Sequence, residues 1–255
     1  MRTDRGITLV ETLLTIGIVG VLIALLAPAL RGARSAAGAT NSLANLSGIG
    51  RSLELYASAN RMRAPFPPRA EASQDSVGGN GPTFGPVFLT PSRENRIARV
   101  FFAPVFQMER FWPTMMHDAA PWEAHYASWL SPGSSVPMGD EPIWERAPAV
   151  SYRYSHSFVA SARIWSGSPG ATWDDVGPQQ VSAVAHPSAK VVMYDADRAY
   201  LGMPARVTDA RPLLFVDGSA SLRLDTDARA PAINALTGSS RYFHDTANGI
   251  LGADY

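Results

Sequence analysis

Near its start the chain carries a block with almost no polar positions: Ile7 to Leu30 reads ITLVETLLTIGIVGVLIALLAPAL, and Glu11 is its sole ionisable residue. As a helix of about 24 residues it spans roughly 36 Å, enough to cross a bilayer. Beyond Leu30 the pattern becomes small and amphipathic. Leu46, Ile49, Leu53 and Tyr56 recur at three- and four-residue steps, which predicts that the helix continues to about Asn60 with one apolar stripe laid on a sheet. Ala33, Ala36, Ala37 and Gly38 are small enough to let neighbouring helices approach. Gly38, Gly48 and Gly50 lower helix propensity, so a break in this stretch stays open.

From Arg63 to Pro91 prolines and glycines cluster and no period survives, which predicts a surface loop. Arg93 to Leu130 is rich in aromatics, among them Phe101, Phe102, Phe106, Phe111, Trp112, Trp122, Tyr126 and Trp129. They are expected in the core, with a contact surface or ligand groove as the alternative. Alternation from Ser151 to Val159 predicts a strand with Tyr152, Tyr154 and Phe158 on one face and Ser151, Arg153 and Ser155 on the other. Lys190 to Tyr194, KVVMY, is apolar enough for a strand covered by the helix. In Leu213 to Leu224 the Asp217-Gly218 step is a two-residue hairpin signal. Together these elements predict an α+β fold, one long N-terminal helix packed on an antiparallel β-sheet.

Composition narrows the classes. The chain has 255 residues, 46% hydrophobic and 17% charged, which suits a globular protein of one or two domains. Lys and Arg together number 22 and so do Asp and Glu, so no broad field attracts nucleic acid and none is expected as a partner. Lys190 is the only lysine among scattered arginines, a pattern that codon preference explains as well as phosphate recognition does. With no cysteine there is no thiol catalysis, cysteine-ligated metal or disulfide, so an exported domain has to be held by its core or by an ion.

The arm before the apolar block, Met1 to Gly6, sets Arg2 and Arg5 against Asp4. The positive-inside rule keeps this arm in the cytoplasm and sends the remainder outward. An ordinary secretory signal has a shorter apolar region followed by a small-residue cleavage site; Ala27 and Ala29 imitate one, with Pro28 between them. Plain anchoring by an uncleaved helix is a further reading. Glu11 is the expensive residue, because an ionisable group at the centre of a membrane helix costs at least about 2.5–3.5 kcal/mol. Proximity to the cytoplasmic interface is one way to make it cheap.

Arg5-Gly6 followed by Ile7-Thr8-Leu9-Val10-Glu11 resembles the processing site of type IV prepilins and type II secretion pseudopilins. The resemblance implies a pilin-like layout divided into a cytoplasmic leader (1–6), a membrane-spanning assembly helix (7–30), its continuation on the sheet (31–60) and an exported globular domain (61–255). It implies cleavage after Gly6 by prepilin peptidase and methylation of the new N-terminus at Ile7. A small residue before the scissile bond keeps the backbone accessible. Glu11 then takes the family's assembly role, meeting the α-amino group of Ile7 on a neighbouring subunit so that two charges costly in lipid neutralise each other. Gly20 and Pro28 stand where type IV pilins often place residues that bracket a stretch losing helicity in the filament; a kink in a continuous helix is the alternative. The implied partners are the membrane, the peptidase, copies of itself or related pilins, and a pilus or secretion assembly machine. The implied location is the bacterial inner membrane, single-pass with the C-terminal domain periplasmic, and then a filament. The later half, KVVMYDAD and LLFVDGS, is also similar to a large group of bacterial pilin-like proteins that end in an Asp-Gly hairpin. Those proteins commonly carry histidines where this chain has Val207 and Ser219.

Little else points to chemistry. His117, His125, His156, His186 and His244 are spread out with no helical pair, so each is expected to be structural and no metal or cofactor is expected. Asp195, Asp197 and Asp217 were they to meet at neighbouring strand ends could hold calcium. No nucleophile elbow, phosphate loop, dinucleotide fingerprint or calcium-loop pattern occurs. The expected function is a structural filament subunit without enzymatic activity. A membrane-tethered periplasmic ligand-binding protein is the alternative, and a tethered hydrolase is a third class.

Overall fold

The computed structural model describes residues 9–66, 83–88, 100–104, 106, 109, 112–116, 125–134 and 150–255. Gly6 and Ile7 lie outside them. Helix α1 runs unbroken from Leu9 to Ala59, 51 residues, through Pro28 and every glycine. At about 1.5 Å per residue it is roughly 76 Å long. It ends on a back-bonded turn: the Met62 amide donates to the Ala57 carbonyl at 2.7 Å, with Arg61 and Met62 both left-handed.

Two of the glycines that lower helix propensity are placed by packing. A Cβ on Gly38 would fall 2.3 Å from Tyr200 Cβ, and one on Gly50 would fall 3.1 Å from a Leu214 methyl. The helix therefore lies close on its own domain at these two points, so Gly38 serves an internal contact, whereas Ala33, Ala36 and Ala37 stay exposed. The buried set Gly38, Ala39, Ser42, Leu46, Ile49, Leu53 and Ala57 keeps Leu46, Ile49 and Leu53 of the stripe read from the sequence and carries it about two turns further towards the N-terminus, while Tyr56 is half-buried and Ala57 takes the buried place beside it.

The main sheet is an antiparallel meander, β3 (Tyr152–Tyr154), β4 (Val191–Asp195), β5 (Arg211–Phe215) and β6 (Ala220–Arg223), hydrogen-bonded in that order. Helix α1 crosses one face, against Val192, Met193 and Leu214. The other face is covered by the C-terminal segment, where Phe243 and Tyr255 pack on Val191, Leu213 and Phe215. Covering both faces explains why β4 reads as a continuous apolar run rather than an alternating one. The α+β arrangement is the expected one.

Local details depart from expectation. The strand predicted over Ser151–Val159 stops at Tyr154, because Ser155 caps a tight turn at His156–Phe158, its hydroxyl accepting from the Ser157 amide. Its supposed polar face is also buried: Ser151, Arg153 and Ser155 are all covered. The Asp-Gly hairpin has a three-residue loop, since Phe215 still pairs with Ser219 and Gly218 takes the left-handed position at φ +83. Part of the expected 63–91 loop is strand: β1 (Thr83–Phe88) pairs with β2 (Val100–Pro104), and a register shift between Phe84 and Val87 absorbs Gly85-Pro86. Of the aromatics from 93 to 130, Phe106, Trp112 and Trp129 are core and Tyr126 packs against it. The side chains of Phe101, Phe102, Phe111 and Trp122 lie outside the described set.

Candidate functional site

Leucine, isoleucine and valine point outward all around the first half of α1, with Leu9 at 77% and Leu25 at 70% exposure. None of its apolar window is buried in the protein, and among the described residues this is the one helix long and apolar enough to cross a membrane. Glu11 stands in its first turn. Thr15 Oγ1 donates to the Glu11 carbonyl at 2.7 Å, closing the helix around the acid without using its carboxylate. Gly20 has open space around it, and Pro28 lies inside continuous helix.

The second half of α1 is held to the sheet by a buried polar knot. Asp195, at 0% exposure, accepts from Ser42 and Ser131 hydroxyls, each at 2.7 Å, and from the amides of Asp197 and Arg198. Asn45 donates to the Tyr152 hydroxyl at 3.2 Å and to the Leu130 carbonyl at 3.3 Å. Burial raises the Tyr152 pKa well above its ordinary value, and the nearby Asp195 carboxylate adds to the rise. Asp195 is thus spent on fastening the helix.

The calcium arrangement does not form. Antiparallel register sets Val191 opposite Phe215 and Tyr194 opposite Leu213, so Asp195 and Asp217 sit at opposite ends of β4, roughly 13 Å of strand apart. Asp217 accepts from the amide and hydroxyl of Ser219 within its own turn.

Two histidines meet instead. Glu109, His156 and His244 place one ligand atom each within 4.8 Å of one another. Glu109 Oε2 lies 3.1 Å from His156 Nε2 and 3.6 Å from His244 Nε2, and the two rings stand 4.1 Å apart. Arg241 closes the cluster from outside, its guanidinium bonded to Glu109 and 3.2 Å from His156 Nε2. The Tyr194 hydroxyl is 2.6 Å from His244 Nε2. Burial pushes both imidazoles below their ordinary pKa; Glu109 pulls His156 upward, while His156 and Arg241 push His244 further down. Burial works against the Glu109 charge, but hydrogen bonds and charge from His156 and Arg241 outweigh it and lower its pKa to about 2. The sequence offered no sign of this, because the three residues come from separate segments with no motif spacing.

Lys190 is fully buried. Its ammonium donates to Ser157 at 3.0 Å and to Thr246, and pairs with Asp254 at 3.2 Å. Burial lowers its pKa while Asp254 opposes the shift. Ser157 and Lys190 resemble a nucleophile and base in composition, yet both are at 0% exposure and Asp254 also accepts from the Val191 amide. The group joins the C-terminal segment to β4.

No protein-family model, curated protein or solved structure matches this chain. Its class is therefore defined by its own architecture: a long apolar N-terminal helix, half uncovered and half packed on a four-stranded antiparallel sheet, which is a pilin-like layout.

Proposed function

We propose that this protein is a structural subunit of a type IV pilus or type II secretion pseudopilus, trimmed after Gly6, methylated at Ile7 and polymerised through α1. The observation that carries the reading is the division of one continuous helix: Leu9 to Leu30 is uncovered on every side, while Gly38 to Ala57 is locked into the domain. Such a helix suits a bilayer before assembly and a bundle of like helices afterwards, because both environments are apolar. Glu11 lies at its start, where a neighbour's new amine can offset the cost of a carboxylate in hydrocarbon.

Mass spectrometry of the protein isolated from its host tests the processing: a chain beginning at N-methylated Ile7 is expected, and retention of residues 1–6 with the peptidase active sinks the reading. Glu11→Ala should leave the amount of membrane-inserted protein unchanged while filament incorporation collapses. A second reading, a tethered ligand-binding protein, is favoured by a cavity of about 390 Å³ between α1 and the sheet, lined by Leu53, Ala57, Tyr154, Phe158, Val192 and Leu214. That volume falls within the range of small-molecule sites. Absence of the wild-type protein from sheared filaments, with ligand binding by its domain equal in wild type and Glu11→Ala, would select this second reading.

A further inference from the structure

We propose that Glu109, His156 and His244 form a site for a divalent first-row transition cation, for which zinc is the appropriate probe. The inference concerns the exported domain and does not depend on the filament reading. In a tetrahedral zinc site with bonds of about 2.0–2.1 Å, neighbouring ligand atoms stand about 3.3 Å apart. The two distances from Glu109 Oε2 to the imidazole nitrogens, 3.1 and 3.6 Å, bracket that edge. Two nitrogens and one carboxylate oxygen suit zinc and its neighbours and do not suit calcium or magnesium, which take oxygen ligands. Both histidines are buried, and ligation takes the neutral imidazole, so any proton on either ring leaves as the ion binds.

Arg241 currently supplies the positive charge at this point. Its guanidinium bonds Glu109 and also lies 3.2 Å from the same His156 nitrogen that faces Glu109. One imidazole nitrogen cannot donate to the carboxylate and accept from the guanidinium at once. A metal ion removes that conflict, since it meets lone pairs from all three residues. The Arg241 side chain is 45% exposed, so it can move into solvent as the ion enters. The Tyr194 hydroxyl, 2.6 Å from His244 Nε2, fixes that ring and is the nearest oxygen to yield or to join as a further ligand.

Among the described residues, neither His156 Nδ1 nor His244 Nδ1 has a hydrogen-bond partner. Dedicated sites usually brace that nitrogen, and losing such a brace costs about 10–100-fold in affinity. Micromolar rather than tighter binding is therefore expected. Its consequence is mechanical: the ion ties the turn after β3 to the C-terminal segment in a chain without disulfides.

The test uses the full chain in detergent, stripped with chelator and titrated with zinc chloride by calorimetry, with cobalt(II) absorption reporting tetrahedral geometry. One ion per chain is expected, with a rise in melting temperature that grows with zinc concentration. His156→Ala with His244→Ala should abolish binding, Glu109→Gln should weaken it by at least about 10-fold, and His186→Ala should leave it unchanged. Arg241→Ala should bind about 10-fold more tightly or better, because it removes the competing cation. If the double histidine variant fails to fold by circular dichroism, Glu109→Gln decides. Absence of stoichiometric zinc in both the wild type and Arg241→Ala overturns the proposal, as does binding that survives loss of both histidines.

Discussion

The two halves of α1 share a helix and differ in everything that holds them. From Leu9 to Leu30 leucine, isoleucine and valine face outward on every side, and none of the apolar window is buried among the described residues. From Gly38 to Ala57 a single stripe is buried, and polar residues on that stripe, Ser42 above all, reach specific partners across the interface. The first half is shaped by the solvent it requires, the second by one particular surface. The same secondary structure therefore carries two kinds of information: continuity fixes direction and reach, whereas periodicity tells which half belongs to the fold. Substitutions should separate the halves cleanly when the unfolding of the globular domain is followed by fluorescence of the buried tryptophans Trp112, Trp129 and Trp165.

The largest effect is expected at Leu46, which is fully buried between α1 and the sheet. Leu46→Ala removes apolar contact and leaves a cavity, so denaturant unfolding of the full chain should show a loss of about 2–5 kcal/mol. A smaller loss, about 1–3 kcal/mol, is expected for Asp195→Asn. There the shape survives, but an amide group faces the Ser42 and Ser131 hydroxyls that now donate to a carboxylate. If Asp195→Asn unfolds like the wild type, the helix is held by apolar burial alone and the polar knot contributes only register.

How much of this was legible follows from the same distinction. The stripe Leu46, Ile49, Leu53 is local and periodic, so the second half of α1 could be read to within a residue of its end. KVVMY and the Asp-Gly turn were legible for the same reason, although the turn's third loop residue depends on pairing between Phe215 and Ser219 that no dipeptide encodes. The histidine cluster was invisible, since Glu109, His156 and His244 are joined only by the path of the chain around the sheet. Lys190 did leave a trace: the one lysine among arginines stands directly before an apolar strand, and a flexible ammonium can follow buried hydroxyls where a planar guanidinium cannot. The sequence marks Asp195 as an acid at a strand end, but only the register shows that it faces the helix rather than Asp217.

Alkaline pH sharpens the comparison with a gentler perturbation. Burial raises the pKa of Tyr152 and of Tyr154, both packed under the second half of α1. A folded pKa above the unfolded value of about 10 means that the contribution is complete below pH 10 and is lost as pH rises beyond it. The expected decline is at most about 1.4 kcal/mol per tyrosine per pH unit above 10. It should appear as a falling midpoint of denaturation between pH 10 and pH 11. Tyr152→Phe should flatten that slope, although it costs the hydrogen bond with Ser42 and the one Asn45 donates.

The smallest effect is expected at Leu22, and it bears hardest on the division of the helix. Leu22 is half exposed in the uncovered stretch and far along the helix from its first buried residue, Gly38. Its removal deletes apolar surface without opening a cavity, because among the described residues nothing buries that part of the helix. Leu22→Ala should therefore change domain unfolding in detergent by no more than about 0.5 kcal/mol. Under the proposed function the same variant loses apolar area needed either by lipid or by a neighbouring helix, so weaker membrane retention or weaker filament packing is where its cost should emerge. A loss above about 1 kcal/mol in domain unfolding would mean that the first half of α1 is coupled to the sheet after all, because a side chain without partners cannot transmit that much through a continuous helix.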